Sequence, residues 1–200
     1  AFEQASGVLG VFGQPWLFVH DTTSTNDLAA RHGESAEPEG LVVVAGAQSA
    51  GRGRVGRMWA SPPGAGLYVS VLLRPMRRDL GLLTLTAGVA LAEGIQQAAG
   101  LDVELKWPND LQVGSRKLGG ILAEASSVAG DVRFVVLGFG INLGVAAYPP
   151  DVAARATSVE AETGQPGDRG AVLVACLAAL DARYRALDRK STRLNSSHVK

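Results

Sequence analysis

The chain has 200 residues, 46% apolar and 19% charged, enough to bury the core of one large domain or of a domain with a small appendage. Its 19 Lys and Arg are balanced by 19 Asp and Glu, which excludes the basic excess of a nucleic-acid binder that works by counterion release. A single cysteine, Cys176, excludes an internal disulfide and points to a reducing cytoplasm, and no apolar stretch reaches the roughly 20 residues of a bilayer span.

The opening residues, AFEQASGVLGVFGQPWLFVH, lack a basic leader and a clean small-residue cleavage site, so no signal peptide is expected. Residues 16–21 read as a strand. TTSTND then supplies hydroxyl and amide caps, with Ser24 three residues before Asp27, for a short helix ending near Gly33. Residues 41–47 are a β-branched run and predict a buried strand; residues 66–75 predict another, with Leu67, Val69 and Val71 alternating. A mostly apolar helix is expected over residues 80–100, closed by Gly100 at the C′ position. Residues 103–110 read as a strand running into a turn, because Pro108 cannot continue a ladder and Asn109 and Asp110 favour turns; Trp107, just before that proline, reads as structural. Two further strands, starting at Arg116 and Val132, are joined by VAGD as a hairpin.

Helices are expected over residues 151–162 and 170–187. The polar, aperiodic residues 191–200 read as a disordered or non-native tail, leaving residues 1–190 as one domain. Adjacent strands with interspersed helices predict an α+β fold, a mixed β-sheet packed with helices, in place of a doubly wound one.

Between the second and third strands lies AQSAGRGRVGRMWASPPG. Gly51, Gly53 and Gly56 spell G-x-G-x-x-G, but a dinucleotide fingerprint needs a helix opening at the third glycine. Pro62, Pro63 and Gly64 forbid one. No G-x-x-x-x-G-K-[ST] occurs either. Arginines gathered in one glycine-rich loop suit a small anionic ligand; a solvated charged loop is the plainer reading.

Five segments occur in order: TSTN (23–26), GRGRVGRMW (51–59), KWPND (106–110), RKLGGIL (116–122) and GFGIN (138–142). Together they resemble the catalytic domain of the biotin protein ligases, from about Phe18 to about Leu187. The resemblance implies a class II synthetase-like architecture and an ATP-dependent ligase. Such an enzyme joins biotin to ATP as biotinyl-5′-AMP, then passes the biotinyl group to one lysine of a biotin carboxyl carrier protein domain of acetyl-CoA carboxylase or a related carboxylase. A lipoate ligase-like acyltransferase on the same fold is the alternative, and an arginine–glycine RNA-binding module a third reading. Larger relatives carry an N-terminal DNA-binding domain, and the family also carries a small C-terminal β-barrel. With about twenty residues before the first motif, a monofunctional chain without either is expected, acting on no nucleic acid and no membrane, with room for a homodimer.

The resemblance also implies roles. Arg52, Arg54 and Lys117 match positions around the biotin carboxylate and the phosphate, where arginine donates in a planar fork. Gly51, Gly53 and Gly56 would let the loop move when empty and fold over ligand. Ser24, Thr25, Asn26 and Gln48 match the biotin-binding positions, and hydroxyls and amides suit a neutral ureido ring; Ser24 reads equally as an ordinary N-cap. Gly119 and Gly120 would let biotin lie against strand backbone, or mark a β-bulge. Trp59 and Asn142 resemble adenine-contacting positions; a core indole and a turn-capping amide are the plain readings. Arg57 reads as a solvated charge or a further phosphate contact, and Lys106 as a phosphate contact or a solvated strand lysine. Asp110 is the candidate to orient the acceptor amine and take its proton, or simply a turn cap. No dedicated metal site is visible; Mg²⁺ is expected with ATP, held through phosphates and water.

Overall fold

The computed structural model describes residues 9–13, 15–75, 80–145 and 150–196. Seven strands form one sheet: β1 (Trp16–Thr22), β2 (Val42–Gln48), β3 (Gly66–Leu73), β4 (Glu104–Lys106), β5 (Asp110–Val113), β6 (Arg116–Val128) and β7 (Asp131–Asn142). Their spatial order is β1-β2-β3-β7-β6-β5-β4. Only β1 and β2 run parallel; every other neighbouring pair is antiparallel. The sheet is mixed, as expected. The β6–β7 hairpin turns through Ala129 and Gly130, both at positive φ, the mirror-image geometry that matches strand twist.

Side-chain alternation sorts the core into two layers. Val42, Val44, Val71, Val135 and Leu137 face α2 (Leu80–Ala99) and α5 (Arg169–Ser196), which pack on each other and close one side. Val43, Leu72, Phe134 and Val136 point the other way, under Ala29 of α1 (Thr25–Glu34). The single short helix α1 covers only part of its face. Beyond its N-terminus the sheet presents Gly138 and Gly140 of β7 and Gly120 of β6, where a cleft opens.

Several elements differ from the expectations. The segment over 103–110 is only the three-residue β4; a turn holding the cis Trp107–Pro108 bond follows, and Asp110 begins an unforeseen strand, β5. Trp107 is not a structural core residue: it is 83% exposed. The helix expected over 151–162 is two, α3 (Pro150–Ala153) and α4 (Val159–Thr163). Between them Arg155 and Thr157 pair with the backbone of Lys117, an extended arrangement that a continuous helix forbids. Ser158 then caps α4, its hydroxyl accepting from the Ala161 N–H. The last helix runs past Leu187 to Ser196, so residues 191–196 are helical where a disordered tail was expected; residues 197–200 lie outside the described residues. Helix α2 ends as expected, with Gly100 at φ 65°.

Candidate active site

The cleft begins at the N-terminus of α1. Ser24, Thr25 and Asn26 are all buried there. Ser24 occupies the N-cap position, but its hydroxyl makes no cap hydrogen bond. The Thr25 N–H donates to Gln48 Oε1 at 2.8 Å, and Gln48 Nε2 donates to Ser61 Oγ at 2.7 Å. Ser70 Oγ of β3 lies 2.8 Å from Thr25 Oγ1 and 2.5 Å from Asn26 Oδ1. Asn26 Nδ2 donates to Glu124 Oε2 of β6 at 2.6 Å. The buried polar groups therefore satisfy one another, which fixes their orientations.

Strand register explains why there is room. Ser70 pairs with Gly138, Gly138 with Leu122, and Gly140 with Gly120, so these residues share one face of the sheet. A Cβ at Gly138 would overlap Asn26 Oδ1, and one at Gly140 would overlap the Trp59 indole. The resulting cavity is about 340 Å³, and Ser24, Thr25, Asn26, Gln48 and Gly120 line it.

The arginine loop forms its lid. It is a small hairpin, not loose chain: Arg52 bridges Met58, the Gly53 N–H donates to Arg57 O at 2.7 Å, and the Trp59 N–H donates to Gly51 O at 2.8 Å. The tip turns through Val55 (φ 56°) and Gly56 (φ 70°), with the Arg57 N–H donating to Arg54 O. No helix opens after Gly56, in line with the reading that set the dinucleotide fingerprint aside. Arg52, Gly53, Arg54 and Arg57 all line the cavity. Arg54 and Arg57 have no side-chain partner among the described residues. Arg52 is paired with Asp27 and Glu124; burial alone would lower its pKa, but those two carboxylates outweigh it and hold the guanidinium above its ordinary value.

A second cavity of about 450 Å³ lies beside the first, lined by Lys106, Asn142 and Ala156 among others. Arg57, Met58, Trp59, Asp110 and Lys117 border both. At this shared wall Lys117 Nζ donates to Asp110 Oδ1 at 2.6 Å and stands 5.4 Å from the centroid of the Trp59 ring. Trp59 Nε1 is buried without a hydrogen-bond partner. Backbone pairing fixes Lys117: its N–H donates to Arg155 O at 2.7 Å and its carbonyl accepts from the Thr157 N–H at 2.9 Å. Between the Leu111–Gly119 and Gln112–Lys117 pairs, Leu118 is the extra residue of a bulge. The bulge expected at the paired glycines thus lies immediately before them. Asn142 is buried and donates to Thr157 O at 2.9 Å, tying down the same segment, as an amide with a structural partner.

The structure thus gathers all but three of the expected site residues around the first cavity. Lys106 and Asn142 border only the second, and a Cβ on Gly119 would point at Gly140 O, away from the floor. Ser70, Asp27, Glu124 and the two β7 glycines were not assigned roles from sequence. The signal for Glu124 was an acidic residue in phase with Gly120 and Leu122 along a strand; Gly138 and Gly140 share a similar two-residue spacing.

Residues 18–142 match the Biotin/lipoate A/B protein ligase family. The chain belongs to that family. This member is 38% identical over 182 residues to the bifunctional ligase/repressor BirA of Bacillus subtilis, a match covering 88% of this chain and 55% of that protein. It is also 38% identical over 172 residues to the biotin–[acetyl-CoA-carboxylase] ligase of Mycobacterium tuberculosis, covering 82% of this chain and 62% of that one. The biotin protein ligase of Aquifex aeolicus, solved with biotin and ATP, superposes with a TM-score of 0.79 at 31% identity, over 88% of this chain and 73% of that chain. The chain spans about half the length of the BirA relatives it matches.

Proposed function

We propose that this family member activates biotin with ATP to biotinyl-5′-AMP and transfers the biotinyl group to a lysine of a carboxyl carrier domain. The observation that carries the reading is the Lys117–Asp110 pair on the wall between two cavities. One cavity offers neutral hydrogen-bonding groups to a ureido ring; the other takes the nucleotide. The names of the relatives support the substrates.

In the first step a biotin carboxylate oxygen bonds to the α-phosphorus of ATP, and pyrophosphate leaves with the electrons of the broken P–O bond. A carboxylate with a pKa near ~4 is already ionised, so no general base is needed. The barrier is repulsion between two anions, and Lys117 with Arg54 and Arg57 offsets it. The closed hairpin excludes water from the mixed anhydride. In the second step the acceptor amine attacks the acyl carbon and AMP departs. Neutralising a lysine at pH 7 costs about 4–5 kcal/mol, and we assign Asp110 to orient the amine and take its proton. Among the described residues no three His, Cys, Asp or Glu side chains converge as a metal cage, and Asp110 is held by Lys117. We therefore assign Mg²⁺ to the phosphates and water, where it would supply charge neutralisation. We assign residues 1–190 as the catalytic unit and a reducing cytoplasm as its setting.

ATP–pyrophosphate exchange tests the proposal. Exchange is expected with biotin and not with lipoate in its place. Exchange that ignores biotin, or that lipoate supports equally, would overturn it.

A further inference from the structure

Two carboxylates at the base of the hairpin, Asp27 and Glu124, are unused by the chemistry above. Arg52 donates to both. A single atom, Glu124 Oε2, accepts from Arg52 Nη2 at 2.6 Å and from Asn26 Nδ2 at 2.6 Å. An ionised carboxylate only accepts hydrogen bonds. It therefore obliges Asn26 to turn its nitrogen toward Glu124 and its oxygen toward Ser70 Oγ. The orientation of the cavity floor and the anchorage of the lid are set by the same oxygen. The electrostatics agree. One guanidinium facing two carboxylates adds no net attraction for a ligand anion, whereas Arg54 and Arg57 have no side-chain partner among the described residues.

We propose that Glu124 is a positioning residue that couples contact at Asn26, on the cavity floor, to closure of the arginine hairpin through Arg52. This rests on reading the cavity as the biotin pocket. A ligand that holds Asn26 in its present orientation favours the Glu124 position that also anchors Arg52. Arg52 is then a hinge pin of the lid and not an anion ligand, a different role from the one the family resemblance implies for it. The side chains of Arg52, Asp27 and Glu124 are 37–41% exposed, so the coupling is moderate, about fivefold in lid opening.

Tryptic cleavage after Arg54 and Arg57, both exposed, reads lid opening directly. It would be timed with and without saturating biotin, alongside calorimetry of biotin binding, in the unaltered chain and in Glu124→Gln. The unaltered chain is expected to be cleaved about fivefold more slowly with biotin; Glu124→Gln is expected to bind biotin at saturation yet gain less than about twofold protection. Protection of the saturated variant equal to that of the unaltered chain would overturn the coupling. Biotin binding without protection in the unaltered chain would overturn the coupling and leave the proposed function standing; failure of that chain to bind biotin would remove both. If Glu124→Gln does not fold, Arg52→Gln cuts the same contact from the exposed side and carries the same expectation. Where both variants fold, the double variant should lose no more protection than either alone, and additive losses would count against a shared contact.

Discussion

In the proposed reaction Asp110 would face two steps that make different demands on one carboxylate. During adenylation it only accepts from Lys117; during transfer it is proposed to take the acceptor's proton. Asp110→Asn keeps the shape and an acceptor oxygen but removes the basic site. The expected outcome is biotin-dependent pyrophosphate exchange within roughly tenfold of the unaltered chain and transfer to a carrier lysine slowed by about 10²–10⁴, read by following both reactions on one preparation. Equal losses in both would remove the proton-accepting role. At this scale the sequence was legible where the family resemblance marks a position: Thr25, Asn26, Gln48, Asp110 and Lys117 all reach the cleft. It was not legible where strand pairing decides. Ser70, Glu124 and Gly138 become site residues only because β3, β7 and β6 lie side by side in one register. Ser24 illustrates the reverse: a residue type that suits a cap stands at the cap position without making the bond.

Among the elements, the hairpin lid combines ordered pairing with an unfavourable tip. Val55 is β-branched, 93% exposed, and held at φ 56°, a region that costs a non-glycine residue roughly 1–2 kcal/mol. Asn tolerates that region far better, and asparagine followed by glycine is the preferred pair for such a turn. Val55→Asn should therefore stabilise the closed hairpin by about 1 kcal/mol, seen as roughly fivefold slower tryptic cleavage at Arg54 and Arg57 without ligand. Unchanged or faster cleavage would show that the tip does not limit opening. The sequence marked this segment as glycine-rich and charged but gave no sign of its pairing, because the Arg52–Met58 bridge joins residues with no strand-like pattern. The same limit applies to β5 and to the broken helix before α4. There, backbone bonds to Lys117 from residues some forty positions away override local helical preference.

For the whole molecule, the expected mixed sheet and α+β layering were legible because the β-branched run of β2, the alternation in β3 and the long apolar run of α2 follow from burial alone. The α2–α5 layer lies across the sheet from the cleft, and Cys176 sits at its centre, fully buried. Burial pushes its thiol from an ordinary value near 9 up to about 12. The folded chain thus holds this proton where the unfolded chain has released it. This contribution to stability is intact below about pH 9 and is lost progressively toward pH 12, by roughly 4 kcal/mol at 1.36 per unit. At neutral pH a thiol reagent should modify Cys176 only at the rate of opening of this layer. Denaturant melts at pH 8 and pH 10.5 and labelling kinetics check both statements; rapid labelling of folded protein would contradict the packing.

Trp59 stands between the two cavities, yet it is carried on the same ribbon as the arginines. Part of the bulkhead separating the chambers therefore belongs to the lid, while Asp110 and Lys117 of the sheet make up the rest. Whatever seats the ribbon from one chamber also shapes the other, and if the proposed substrates fill both, thermodynamic reciprocity requires each to change the other's affinity by one common factor. On the proposed reading neither substrate is a passive cargo, since each would meet a wall that the other has helped to set.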